Sequence, residues 1–226
     1  MNPKVTMPLI FRPFRCGDLV RLGRDHDGGY LVNREDILKS QSLLSFGIGD
    51  DCSFEQDFAK IQPCPVSAYD GTLTPVQVAV MQERFFQSPN QLTVQNIGPG
   101  ADQVNPVDVI QDRTFLKCDI EDAEYRILDD IIRISNRLSG LVMEFHEIQE
   151  PERFNLLTNF IAKVQLKLVH VHINNWTYMI TGDVITPSVI ELTFSSSSNI
   201  SWQPVHLPHR LDQPNCADRA DFIIVF

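Results

Sequence analysis

Basic residues are in deficit: 19 Lys and Arg stand against 29 Asp and Glu in 226 residues, a formal charge of −10. A phosphate-backbone partner needs a basic face, so no nucleic-acid partner is expected. No apolar run nears the roughly 20 residues that cross a bilayer, so no membrane partner is expected either. The opening MNPKVTMPLIFRPFRCGD lacks the uninterrupted apolar core and small-residue cleavage site of a secretory signal. The five cysteines (Cys16, Cys52, Cys64, Cys118, Cys216) are an odd count without C-x-x-C spacing. That pattern argues against a disulfide framework or a zinc site, and it leads us to expect reduced thiols in a cytoplasmic setting. Repeats and low-complexity tracts are missing apart from the polar run Ser195–Ser198.

What is present is a chain that is 43% hydrophobic, long enough to bury a sizeable core. DLVRLGRDHDGGYLV (18–32) reads as two short strands around a Gly-Gly turn. Beyond it, strand candidates at Leu43–Phe46, Val66–Tyr69, Leu92–Asn96, Phe115–Cys118, Gly140–Phe145, Leu166–Ile173 and Val189–Phe194 alternate with helical patterns. The helical patterns fall near 53–61, 74–87, 122–138 and 151–164. Alternation of this kind predicts an α/β fold with a mostly parallel sheet covered on both faces. The chain reads as a single domain over 1–226, with an N-terminal hairpin and extension (1–40), a core (41–195) and a C-terminal extension (196–226).

In such sheets ligands sit at the carboxyl ends of the strands, so those ends are the places to search. The first strand runs into SFGIGDD, where Gly47 and Gly49 allow a tight turn and close backbone approach. A plain turn explains this G-x-G equally well, since the third glycine of a dinucleotide fingerprint is missing. Asp50 and Asp51 would oppose a pyrophosphate and suit a cationic ligand. The second strand ends at Asp70, about 20 residues past the glycine turn, where ribose hydroxyls find an acceptor. DGTLT (70–74) also resembles a haloacid-dehalogenase phosphatase signature, but Ala68 occupies the nucleophile's position, which excludes that chemistry. Asn96 and Ile97 at the third strand offer one polar and one apolar contact to an adenine.

The fourth strand enters FLKCDIEDAEYRIL, where Asp119, Glu121, Asp122 and Glu124 gather four carboxylates within six positions. A helix starting at Glu121 and Asp122 would offset part of their repulsion, by about 0.3–1 kcal/mol per charge. Glu144 and His146 share a face at the fifth strand's end, as do His170, His172 and Asn174 on the sixth. Asp119, Glu121 and His146 are of the ligand types that bind a divalent ion. A hydrogen-bonded polar layer without metal is the competing explanation.

Taken together, DGGY (27–30), SFGIGDD (45–51), Asp70, LKCDIEDAE (116–124), EFH (144–146), HVHINN (170–175) and IELTF (190–194) resemble the FkbM-type group of class I S-adenosylmethionine-dependent methyltransferases. The family pattern resembles K-[IV]-D-[IV]-E-G-A-E, from which Asp122 departs at the glycine place. The resemblance implies a Rossmann-like sandwich with a reversed last strand and S-adenosylmethionine as cofactor. Gly47, Gly49 and Asp50 would lie at its methionine portion, Asp70 at the ribose, Asn96 and Ile97 at the adenine. Tyr30, in a hairpin before the first strand, would cover the methionine end. It further implies O-methylation of a small acceptor, a carbohydrate first, and in some relatives dependence on Mg²⁺ or Mn²⁺. His146 or His172 is the expected base, oriented by Glu144, with Asp119 holding the acceptor or the ion. A non-catalytic cofactor-binding scaffold is the alternative, and a nicotinamide-dependent oxidoreductase is disfavoured by Asp50 and Asp51.

Overall fold

The computed structural model describes residues 2–226. Short strands β1 (Lys4–Thr6) and β2 (Arg15–Cys16) precede the hairpin of β3 (Leu19–Gly23) and β4 (Gly29–Asn33), which forms as expected. Its turn requires glycine: Gly23 has φ +95°, and a Cβ there would sit 2.3 Å from the Gly28 carbonyl oxygen. Asn33 then caps α1 (Arg34–Lys39) by accepting from the Glu35 amide. At six residues this helix is too short to announce itself by apolar periodicity.

The core alternates: β5 (Ser42–Phe46), α2 (Ser53–Ile61), β6 (Val66–Tyr69), α3 (Pro75–Arg84), β7 (Gln91–Thr93), α4 (Pro106–Val109), β8 (Thr114–Cys118), α5 (Leu128–Ile134), β9 (Leu138–Phe145), α6 (Pro151–Lys163), β10 (Lys167–Thr181) and β11 (Val184–Ser195). Two further strands, β12 (Ile200–Ser201) and β13 (Ile223–Val225), follow. Seven strands form one sheet in the order β10-β11-β9-β8-β5-β6-β7. Only β11, its last strand in sequence, runs antiparallel to its neighbours. The expected Rossmann-like α/β architecture with a reversed last strand is therefore present.

β8 and β9 are buried at every position, which is why they read as continuous apolar runs. On one face Leu22, Tyr30 and Val32 of the hairpin pack with Ile37, Phe54, Phe58 and Met81. On the other, Ile131, Leu157 and Phe160 pack with Phe11 and the C-terminal Phe222 and Ile224. DFIIVF closes this face: β13 pairs in parallel with β1, Lys4 opposite Ile223. Among the described residues no helix is long and apolar enough to cross a membrane.

The structure departs from the expected elements in three places. The helix read over 122–138 breaks into a 3₁₀ turn (Ala123–Arg126), α5 and a second 3₁₀ turn. The segment 175–187, which lies between the strand candidates Leu166–Ile173 and Val189–Phe194, is an extension of β10 and β11 turning at Gly182, φ +61°. The connection 97–112 holds α4 and a bridge between Ile97 and Val104.

Candidate active site

From β5 the chain proceeds to β6 and β7 on one side, then crosses to β8 and β9 on the other. This reversal leaves a crevice at the carboxyl ends of β5 and β8. Gly47 leaves β5 at φ +72°, and a Cβ there would fall 1.6 Å from the Asp119 carbonyl oxygen. Its glycine thus serves the approach of one strand end to the other, where the sequence suggested approach to a ligand. Gly49, φ +55°, has open space at its Cβ position.

Two adjoining compartments of about 330 and 320 Å³ occupy the crevice and share Gly47, Asp70, Thr72, Asp119 and Glu121. The first also has Tyr30, Asp50, Lys117, Glu144 and His146 in its wall; the second has Tyr69, Asn96 and Ile97. The first compartment is acidic: Asp27, Asp50, Asp51, Asp70, Asp119, Glu121 and Glu144 line it, against Arg24, Lys117 and His146. Arg24 is engaged with Asp27 and Asp50 at 3.9 and 3.5 Å, and Lys117 donates to the Gly47 carbonyl.

Asp70 anchors the loops around it. Its Oδ2 accepts from the Ile48 and Gly49 amides at 3.1 and 2.9 Å, its Oδ1 from the Thr72 amide and hydroxyl at 2.8 and 2.6 Å. Burial pushes this carboxyl up, but the four donated bonds outweigh it and hold it below its ordinary range. A ribose hydroxyl must therefore compete with protein donors here.

Tyr30 Oη stands 3.0 Å from Asp119 Oδ2 and 3.1 Å from Glu144 Oε2. One phenol proton cannot serve two ionised acids, so one of these contacts requires a protonated carboxyl. Glu144 is that partner: burial, then the charges of Asp119 and Glu191, push it well above the carboxylate range. Asn174 donates to its other oxygen at 3.1 Å. Asp119 Oδ1 is buried and has no hydrogen-bond partner.

His146 follows β9. Glu124 Oε1 lies 2.8 Å from both its amide nitrogen and its Nδ1, and Tyr125 Oη donates to its carbonyl at 2.6 Å. Its Nε2 faces Glu121 at 3.3 Å and Glu144 at 3.9 Å. Burial lowers the pKa of His146, but the Glu124 bond and charge, with Glu144 and Asp119, raise it to about 10. The expected neutral base is instead an imidazolium while the cleft holds only protein groups. Asp119, Glu121 and His146 each offer one ligand atom, and these atoms lie within 4.8 Å of one another.

The helix-dipole explanation of the acidic corner does not hold. Glu121 and Asp122 adopt left-handed conformations, φ +47° and +72°, outside any helix. Their repulsion is relieved by side chains, His146 for Glu121 and Arg153 for Asp122 at 2.5 Å. Asp122, where the family-like pattern has glycine, thus occupies backbone space that glycine enters without strain. Glu124, in the first turn of the 3₁₀ helix, is fully buried behind His146. The signal for it was its place as the last acid of LKCDIEDAE.

His172 does not reach the cleft. It is buried, with Nδ1 3.2 Å from Glu191 and Nε2 3.2 Å from Asp221 of the C-terminal segment. His170 is bound in the same way to Asp212 at 2.9 Å. His170 and His172 are therefore a closed layer that fastens the C-terminal segment, while Asn174 of the same face reaches the cleft, and His172 is withdrawn as a base.

No protein-family model and no curated protein matches this chain. Among solved structures, a precorrin-6y C5,15-methyltransferase from Geobacter metallireducens is similar at 12% identity and a TM-score of 0.44, covering 72% of this chain and 83% of its own. A Methanococcus jannaschii fibrillarin pre-rRNA processing protein is similar at 12% and 0.45, covering 71% and 68%. A human methyltransferase 10 domain containing protein is similar at 14% and 0.42, covering 72% and 76%. The fold assignment rests on the strand order itself.

Proposed function

We propose that this chain binds S-adenosylmethionine across the two compartments and transfers its methyl group to a hydroxyl of a small acceptor, a carbohydrate being the first class to assay. The observation that carries the reading is a cleft at the switch point with a large excess of carboxylates. Such a wall favours a cationic ligand and repels a pyrophosphate. The second compartment, with Tyr69, Asn96 and Ile97, suits a flat heterocycle with one polar edge.

The cofactor supplies a methyl group on a positively charged sulfur. Asp119, Glu121 and, once its Nε2 proton is displaced, His146 would hold a divalent ion, and the unpartnered, buried Asp119 Oδ1 is the observation that favours one. Such an ion would lower the pKa of a hydroxyl beside it. Glu124 fixes the His146 ring through Nδ1, which leaves Nε2 turned to the cleft. Glu144 is the residue we assign to the acceptor's proton. A cation in the cleft favours its ionised form, and burial makes the carboxylate retake a proton readily. With the cofactor bound, Glu144 would take the proton that the acceptor hydroxyl gives up on methylation. Positioning supplies much of the acceleration in such a displacement.

The test is methyl transfer from radiolabelled S-adenosylmethionine to a panel of sugars and other hydroxylated acceptors, with Mg²⁺, with Mn²⁺ and with EDTA. Label in product with the wild type, and its loss in Glu144→Gln that still binds cofactor, is expected. Cofactor binding with no transfer to any acceptor would favour the scaffold alternative.

A further inference from the structure

β10 is the outer strand of the sheet, and with β11 it runs on past the end of β9 as a two-stranded arm, Tyr178–Thr181 against Val184–Pro187. Among the described residues, five of the 14 large exposed hydrophobics fall within 176–184: Trp176, Tyr178, Met179, Ile180 and Val184. Strand edges in soluble proteins are normally guarded by charge, proline, bulges or a covering segment. Here the guard stops early. A register shift lies between Asn174 and Tyr178, and Arg219 donates to the carbonyls of Asn175 and Trp176. From Thr177 to Thr181 every residue is exposed, the C-terminal segment touches this stretch at Tyr178 through the Phe222 ring, and residues 174–182 (NNWTYMITG) contain no charge and no proline.

That neutrality identifies the occupant. Each copy carries −10, so two copies repel wherever acidic faces meet, and an uncharged strip is where they can close without opposing carboxylates. A strand edge is also complementary to itself. The same sequence turned about a two-fold axis supplies a carbonyl for each free amide, in antiparallel register. We propose that the arm is a dimer contact in which β10 of one copy pairs with β10 of a second copy, centred near Met179, joining the two sheets. This inference is independent of the methyl-transfer reading.

Sedimentation velocity on the full chain from about 1 to about 100 µM, a range bracketing micromolar association, tests it. We expect a dimer that tightens as salt screens the repulsion, and concentration-dependent protection of the Thr177–Thr181 amides in hydrogen exchange. The double variant Met179→Lys/Ile180→Lys, at side chains 49% and 64% exposed, should be monomeric, with the melting temperature that the wild type has when diluted to its monomer. A wild type that stays monomeric throughout overturns the proposal. So does a dimer that persists in the folded double variant, or an arm protected only when lipid vesicles or an acceptor are added.

Discussion

Asp36 carries a carboxylate into the interior, fully buried, with its Oδ2 unpartnered. Burial raises it to about 6 from an ordinary 3.8, against lowering contributions from Ser195, Lys39 and Ser196. The folded state holds this proton more tightly than the unfolded chain. The group therefore costs nothing below about 3.8, and its penalty grows as pH rises until it is complete above about 6. Asp36→Asn should raise the urea midpoint at pH 8, by on the order of 2 kcal/mol in stability, with the gain vanishing near pH 4. A gain independent of pH would remove burial of charge as its cause. Tyr30→Phe deletes the hydroxyl between Asp119 and Glu144, so the variant should fold yet transfer methyl groups about 10²-fold more slowly. Unchanged kcat would show that this bridge is not part of the reaction. At this scale the sequence was partly legible. Asp119, Glu121 and His146 could be picked as residues of one strand-end region because strand ends converge. The protonation of His146 could not, since it depends on Glu124 and Glu144 arriving from separate elements.

Strands buried on both faces were legible because their apolar runs are continuous, and β5, β6, β8 and β9 lie where the pattern puts them. The arm of β10 and β11 was missed although Gly182-Asp183 between β-branched stretches is a two-residue hairpin signal. Its exposed apolar residues do not alternate with polar ones, so no buried face marked it. The histidines of β10 illustrate a second limit. Alternation correctly put His170 and His172 among polar partners, but those partners come from the C-terminal segment some 40–50 residues away. That fastening is testable. His172→Ala leaves Glu191 and Asp221 buried without their cation and should cost roughly 3–5 kcal/mol, whereas replacing all three by apolar residues should recover much of it. Burial disfavours the charged imidazole, but Glu191 and Asp221 raise it well above 6.5. Its stabilisation is therefore full below about 6.5 and is lost as pH rises through the folded value. Denaturation by urea across alkaline pH reads this directly; a wild type and a His172→Ala variant of equal stability at pH 6 would contradict it.

For the molecule as a whole, part of the surplus of acids lies at the switch point, where the sheet topology provides a crevice. Net charge alone argued against a nucleic-acid partner; the location of the charge argues for a cationic ligand. A ligand bound only by the folded chain stabilises it by mass action, about 2.7 kcal/mol at a hundredfold excess over Kd, so S-adenosylmethionine should raise the melting temperature by several degrees. The most direct measurement is isothermal titration calorimetry of the wild-type chain with S-adenosylmethionine, S-adenosylhomocysteine and NAD. We expect one molecule of each S-adenosyl ligand bound per chain and no binding of NAD. Heat from NAD alone, or from none of the three, would contradict the central claim.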